Sequence, residues 1–460
     1  MRKFYIIFGL ALLVGTFSMC NKAGVFPDDG YDSRLSGGSA TTFDETSHAL
    51  SSAIDGLSER DARVHDLGDA TFSQTFVVDS RPNFTGLGPV FNNVSCISCH
   101  RHDGEGIPTM GFSNSGMLFR ISIPGSDAHG GPLTPDGFGG QLQDQHIFGA
   151  APEVTFNPIV YDNVTVTYPD GNTTTLKKPT YSIASSYIPM PAGYMLSPRL
   201  APPVVGMGLL ELVPEQTILS FQDPNDANND GIRGKANYVY DAYTHQTLIG
   251  RFGWKANTAT LLTQVATAYQ QDMGITSYVQ PVESAFGQTQ MNAVPKELPM
   301  EIVDSLLNYT VFYVKTLAVP ARRNVTDDDI KRGEYLFNQV NCSGCHRPTM
   351  QTEINQSLAQ LSNQRIHPYT DLLVHDMGPG LADNRPDFLA GGQDWRTAPL
   401  WGVGLLDKAN GIPYFLHDGR ATTIEEAILW HDGEAKQSRD QFMQLNKDDR
   451  NRIIKFVESL

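Results

Sequence analysis

Cysteine is scarce in this chain, five residues in 460. A fold stapled by disulfides is thereby excluded, because such frameworks are short and cysteine-dense. Tryptophan is scarcer still, at four. Basic residues are outnumbered, 34 Lys and Arg against 50 Asp and Glu, which gives a formal net charge of −16. That balance argues against nucleic acid as a partner and against charge-driven binding to an anionic membrane. It is compatible with steering a basic partner protein, and equally with simple solubility. Beyond Phe17 no segment has the continuous apolar length of a membrane span. Glycine and proline are plentiful, 42 and 28, so turns are frequent and long uninterrupted helices are not expected.

The N-terminus carries its own signal. Arg2 and Lys3 precede the apolar stretch Phe4 to Phe17, which is too short for an ordinary transmembrane helix, and Ser18-Met19-Cys20 follows. Residues 1–20 resemble a bacterial lipoprotein signal, in which Cys20 becomes the lipidated first residue of the mature protein. Met19 departs from the small residue usual before that cysteine, and a plain secretory signal with an incidental cysteine is the alternative. Either reading exports the chain to the periplasmic side of the cell envelope. The lipid would tether it to a membrane.

The other four cysteines stand in two copies of one pentapeptide, Cys96-Ile97-Ser98-Cys99-His100 and Cys342-Ser343-Gly344-Cys345-His346. C-x-x-C-H is the attachment pattern for c-type haem: two thiols add to the vinyl groups and the histidine is placed under the iron. A redox dithiol needs no adjacent histidine, and a zinc site built from the four cysteines would leave both histidines unexplained. The residues therefore point to two covalently held haems, ligated on one side by His100 and His346. Attachment of c-type haem outside the bacterial cytoplasm agrees with export.

An internal repeat surrounds the motifs. Arg199-Leu200-Ala201-Pro202 leads to Gly206-Met207-Gly208-Leu209-Leu210, and Arg396-Thr397-Ala398-Pro399 leads to Gly402-Val403-Gly404-Leu405-Leu406. The same order of blocks in both halves implies duplication. Apolar spacing predicts a helix over 298–316, stopped at Pro320, and a second helix over 330–337 with Thr326 as N-cap and Asp327 to Asp329 in its first turn. These features divide the chain into a linker, 21–60, a first cytochrome c-like haem domain, 61–317, and a second, 318–460. Val154 to Thr175 is rich in Val, Tyr and Thr around Tyr168-Pro169-Asp170-Gly171, which predicts a small β-hairpin inserted in the first domain. The expected fold class is mainly α.

With these residues in view, the chain resembles the di-haem oxidoreductase family, also labelled thiol oxidoreductases, related to bacterial di-haem cytochrome c peroxidases and MauG. The matching blocks are Arg251-Phe252-Gly253-Trp254-Lys255-Ala256, Asp272-Met273-Gly274-Ile275, Leu317 to Arg323, His375 to Leu381 and Tyr414 to Arg420. No cysteine is left for thiol chemistry. The resemblance implies an N-terminal haem that reacts with hydrogen peroxide and a C-terminal haem that relays electrons from a small periplasmic donor such as a cytochrome. It also implies a distal Gln and Glu about ten residues apart, which Gln143 and Glu153 supply, with Gln141 and Gln145 also available. Met377 or His375 stands where relatives supply the sixth ligand of the relay iron, and Met377 is favoured; His417 matches a histidine near that haem. For the first iron the sequence offers His102, His129, His146, His245 and Met207 without choosing. Relatives place a Trp before the distal Gln as a bridge between haems, and none stands there. Asp226-Ala227-Asn228-Asn229-Asp230-Gly231 resembles the start of a calcium loop, though Asn237 replaces the expected Glu; a polar turn is the alternative.

Three functions remain at this stage. One is a hydrogen-peroxide-reducing enzyme. Another is a MauG-like or oxygenase-like enzyme that oxidises another protein or an organic molecule. The third is a di-haem electron-transfer cytochrome without catalysis.

Overall fold

Two helix crossings, one in each half of the chain, organise the architecture. In the computed structural model, which describes residues 32–77, 86–111, 115–289 and 300–460, helix Glu59–Ser73 packs across Asp304–Lys315, and Asp328–Gln339 packs across Lys447–Glu458. One glycine makes each crossing close. A Cβ on Gly68 would stand 2.2 Å from the Tyr309 carbonyl oxygen, and one on Gly333 2.0 Å from that of Arg452. Four residues on, a helix returns to the same face. There Phe72 and Phe337 tilt against His100 and His346, with ring centroids 6.0 and 6.3 Å apart. The same two rings meet Tyr313 and Phe456, at 5.3 and 5.2 Å. The sequence repeat is therefore also a structural repeat, extending to residues that the sequence comparison did not pair.

The Gly-x-Gly blocks repeat as well. Gly206 and Gly402 adopt left-handed φ of +68° and +74° and open short helical turns over Met207–Glu211 and Val403–Leu405. The second glycine of each block lies against the last residue of a crossing helix. A Cβ on Gly208 would meet the Lys315 carbonyl at 2.2 Å, and one on Gly404 that of Glu458 at 1.8 Å. The helix expected over 298–316 is found as Asp304–Lys315. The next, Asp328–Gln339, is capped one residue later than expected, because the Asp327 carboxylate, rather than Thr326, accepts from the Asp329 and Ile330 amides.

The expectation of a mainly α protein is corrected: among the described residues helices take up 29 % and strands 19 %. The excess strand lies between the first motif and the first Gly-x-Gly block. Met117–Ser126 pairs antiparallel with Met195–Leu200, flanked by Gln141–Leu142 and Pro132–Leu133. Val154–Phe156 pairs with Ile183–Ser186. The expected hairpin is present as Val160–Thr167 and Thr173–Thr180, but it belongs to this larger β region. Many of these strands are too short for alternation to show in sequence, and Gly- and Pro-rich connections leave much of the remainder without regular structure.

The hairpin reaches across to the second half. Tyr168 and Leu176 join a core cluster with Phe337, Trp430 and Phe456. The Tyr168 hydroxyl donates to Glu425 at 2.6 Å, and the Arg450 guanidinium pairs with Asp170 at 2.7 Å while lying 4.0 Å over the Tyr168 ring. The larger core cluster also takes residues from both halves, among them Leu50, Leu209, Tyr269, Leu307, Leu361 and Trp401. At the junction near residue 318 the chain is buried, and Val319–Pro320 pairs in parallel with Thr41–Thr42. No helix among the described residues is long and apolar enough to cross a membrane. Cys20 and the leader lie outside the described residues.

Candidate functional site

Both pentapeptides open onto one continuous cavity. Cys96–Cys99 forms a helical turn capped by the Ser95 hydroxyl, and Cys342–Gly344 a tighter turn entered through Asn341 at φ +61°. The amides of His100 and His346 donate back to the carbonyls of Cys96 and Cys342 at 2.9 and 3.0 Å. Each turn therefore presents two thiols and an imidazole to the cavity. All four thiols are free. Burial pushes Cys96 and Cys342 up to about 12, far from the lowered range of a redox-active pair.

The histidines of the two pentapeptides are oriented alike. His100 Nδ1 lies 2.8 Å from the Pro202 carbonyl oxygen, and His346 Nδ1 2.8 Å from that of Tyr369. A carbonyl only accepts, so Nδ1 carries the hydrogen and Nε2 keeps its lone pair. Burial holds both rings below the ordinary histidine range, which favours this neutral form. Metal-ligating imidazoles are held in this way. A third histidine, unnoticed in the sequence, shows the same arrangement. His431 follows helix Ile424–Trp430, its Nδ1 donates to the Ala427 carbonyl at 2.7 Å, and it lines the cavity near His346. Its position just past a helix end, four residues after an available carbonyl, was the only sequence signal.

His375 and Met377 also line the cavity. The two ring nitrogens of His375 are occupied by carboxylates, Nε2 with Asp371 at 2.9 Å and Nδ1 with Glu434 at 2.8 Å. That leaves no lone pair for a metal. With Cys345 and Asp371, His375 forms the one metal-like cluster among the described residues. His417 reaches the cavity but stacks on Trp395, with centroids 3.7 Å apart. Of the residues offered for the first iron, Met207 lines the cavity and His102, His129, His146 and His245 do not.

Gln143 and Glu153 are brought together, as the Gln143 amide donates to Glu153 at 2.7 Å. Both are fully buried, with Glu153 also accepting from Gly139 and Gln288, and neither lines the cavity. Gln145 is also absent from the cavity wall. Gln141 comes nearer. Its Nε2 donates to Asn92 and Asp272, both at 2.7 Å, and those two residues do line the cavity. Burial raises the Asp272 carboxyl above its ordinary range. Glu105 is a second carboxylic acid on the wall, pushed up to about 7 by burial, with one oxygen unpartnered.

Trp254, Trp395 and Trp401 line the cavity, whereas Trp430 does not. Trp254 Nε1 donates to the Leu200 carbonyl at 2.6 Å, and Trp395 Nε1 to that of Leu381 at 2.9 Å. In the segment Asp226 to Gly231 the side-chain oxygens accept from the segment's own amides: Asp226 from Gly231 at 3.0 Å, and Asn228 from Asp230 at 2.9 Å. Asn237 is buried elsewhere, donating to the carbonyls of Lys255 and Asp387.

Residues 31–460 match the family described as "Di-haem oxidoreductase, putative peroxidase". No curated protein matches the chain. Among solved structures, a chain of Kuenenia stuttgartiensis hydrazine synthase is similar at 15 % identity and a TM-score of 0.24, over 35 % of this chain and 57 % of that one.

Proposed function

Because the chain belongs to the di-haem oxidoreductase family, we propose that it is an exported, membrane-tethered enzyme of the periplasm. In this reading it reduces hydrogen peroxide with electrons from a small donor such as a cytochrome. The observation that carries the reading is the shared cavity, in which three histidines each hold Nδ1 on a carbonyl and keep Nε2 free. Cys96 and Cys99 would hold one haem, with His100 as a ligand of its iron; Cys342 and Cys345 would hold the other, with His346. When bound, the haems supply one-electron transfer and, at an iron with a replaceable ligand, a position where peroxide is cleaved.

The chain's residues divide the work unequally. His346 and His431 would both hold the second haem's iron, a pairing that would suit a relay, since ligation by two imidazoles favours a low potential. Reduction of hydrogen peroxide to two waters consumes two electrons and two protons. Asp272, oriented by Gln141, and Glu105, raised by burial, hold exchangeable protons on the cavity wall. Trp254 supplies an aromatic surface on the same wall for electron passage. The acidic surface favours encounter with a basic donor.

A second reading, oxidation of another protein or organic molecule, draws support from the position of Gln143 and Glu153 away from the cavity. Electron paramagnetic resonance of the resting and half-reduced holoprotein, with a peroxide-dependent assay of reduced cytochrome, tests both. The peroxidase reading expects one low-spin iron, one that becomes high-spin on half-reduction, and rapid cytochrome oxidation. Two low-spin irons in every state would sink both enzymatic readings. A high-spin iron without cytochrome oxidation would leave the second.

A further inference from the structure

Positive charge on the cavity wall is not matched by the carboxylates that face it. Beside the first motif, Arg199, Lys255 and Arg385 share two aspartates. Lys255 binds Asp383 at 2.7 Å, Arg385 binds Asp387 at 2.7 Å, and Arg199 pairs closely with Asp387. Arg120 stands next to this group on strand Met117–Ser126, paired with Ser197 across the sheet and so on the same face as Arg199. It lines the cavity, its Nε is buried without a partner, and it has no ion pair among the described residues. The carboxylates that act on it are already committed: Asp387 to two arginines, and Asp272 to Gln141 in a setting that favours its proton. Gln141 pairs with Arg120 across the sheet and donates to Asp272; the Asp272 carbonyl accepts from the Asn93 amide, and the Asn93 side chain donates to the Cys99 sulfur at 3.3 Å, which places this charge beside the first haem motif.

Beside the second motif stands Arg396, the repeat counterpart of Arg199. It lines the cavity and donates to two neutral carbonyls, Gly253 at 2.9 Å and Thr397 at 3.3 Å. The carboxylate that acts on it, Asp371, is held by His375 and also acts on His346. The two halves thus reach the same electrostatic state through different residues. Arg199 is neutralised by aspartates where Arg396 is not, and Arg120 supplies the spare charge in the first half.

An unpaired guanidinium inside a protein is costly, and its forked donors match a carboxylate. We propose that Arg120 and Arg396 are counter-ions for carboxylates inside the cavity, one for each haem, and that these carboxylates are the haem propionates. The inference rests on the reading that both pentapeptides carry haem. A fixed positive charge near a haem disfavours the ferric state, so removing either arginine lowers the potential of one haem and leaves the other near its parent value.

The test uses the full-length holoprotein and the variants Arg120→Gln, Arg120→Lys, Arg396→Gln and Arg396→Lys. Haem content is measured by the alkaline pyridine spectrum and potentials by spectroelectrochemical titration. A parent with fewer than two haems would overturn the underlying reading before any variant is made. With two haems present, the expected result is a lowered potential at one haem for each glutamine variant, restored toward the parent value by lysine. Unmoved potentials in loaded glutamine variants, or lysine variants indistinguishable from glutamine in haem content and potential, would overturn the proposal. Titration with formate separates a propionate from a soluble carboxylate. The ferric parent spectrum should not respond, and a response abolished by Arg120→Gln would assign the arginine to a soluble anion instead.

Discussion

At the residue scale, hydrogen-bond direction decides what each histidine can do. His375 sits beside the second motif, yet both its nitrogens face carboxylates. His431 lies 85 positions after His346 in sequence (431 − 346) and has its lone pair free. Replacing His431 with Met should keep a low-spin second iron and raise its potential, because thioether ligation favours the reduced state. Replacing it with Ala should produce a high-spin signal at that haem, read by electron paramagnetic resonance. Glu153 offers a test away from the haems. Burial pushes it from 4.5 up to about 7. Between those values the folded protein holds a proton that the unfolded chain has released, so stability falls as pH rises through the window. Glu153→Gln, which has no proton to release, should flatten that part of the stability profile, measured by urea unfolding at several pH values. The C-x-x-C-H motifs were legible because their chemistry is local. The exclusion of His375, and the roles suggested for His431, Arg120 and Asp272, depend on neighbours distant in the chain.

Between single residues and the whole fold stand the crossing helices. Gly68 and Gly333 let backbone approach backbone, and the phenylalanine four residues on sets the wall behind each proximal histidine. Alanine is the better helix former by about 1 kcal/mol, yet at Gly333 its Cβ would overlap the Arg452 carbonyl. Gly333→Ala should therefore destabilise the protein by about 1–3 kcal/mol, with a shift in the second haem's visible spectrum as Phe337 moves. Unchanged unfolding and spectrum would show that the helices separate freely. The helices themselves were readable from apolar spacing at Asp304–Lys315 and from the acidic first turn at Asp328–Gln339. Two-residue strands such as Gln141–Leu142 carry no periodicity, and their pairing with Met117–Ser126 is set by tertiary contacts. For that reason the sequence overstated helix.

Across the whole molecule, the halves are joined by more than the chain between them. The hairpin from the first half packs Tyr168 and Leu176 into the second half's core, held by Arg450. Arg450 is buried and also donates to the Leu445 carbonyl at 2.7 Å. Arg450→Ala should cost about 1–3 kcal/mol, seen as a lower unfolding midpoint with both haems retained.

The sequence by itself determined the two Cys-x-x-Cys-His motifs, the repeat around them and the acidic balance, because each is a matter of residue identity and spacing. Only the tertiary structure decided that both motifs share one cavity, which imidazole keeps a free lone pair, and which arginines lack a carboxylate. Those properties belong to groups brought together from segments hundreds of residues apart, whose burial and partners exist only once the chain has folded.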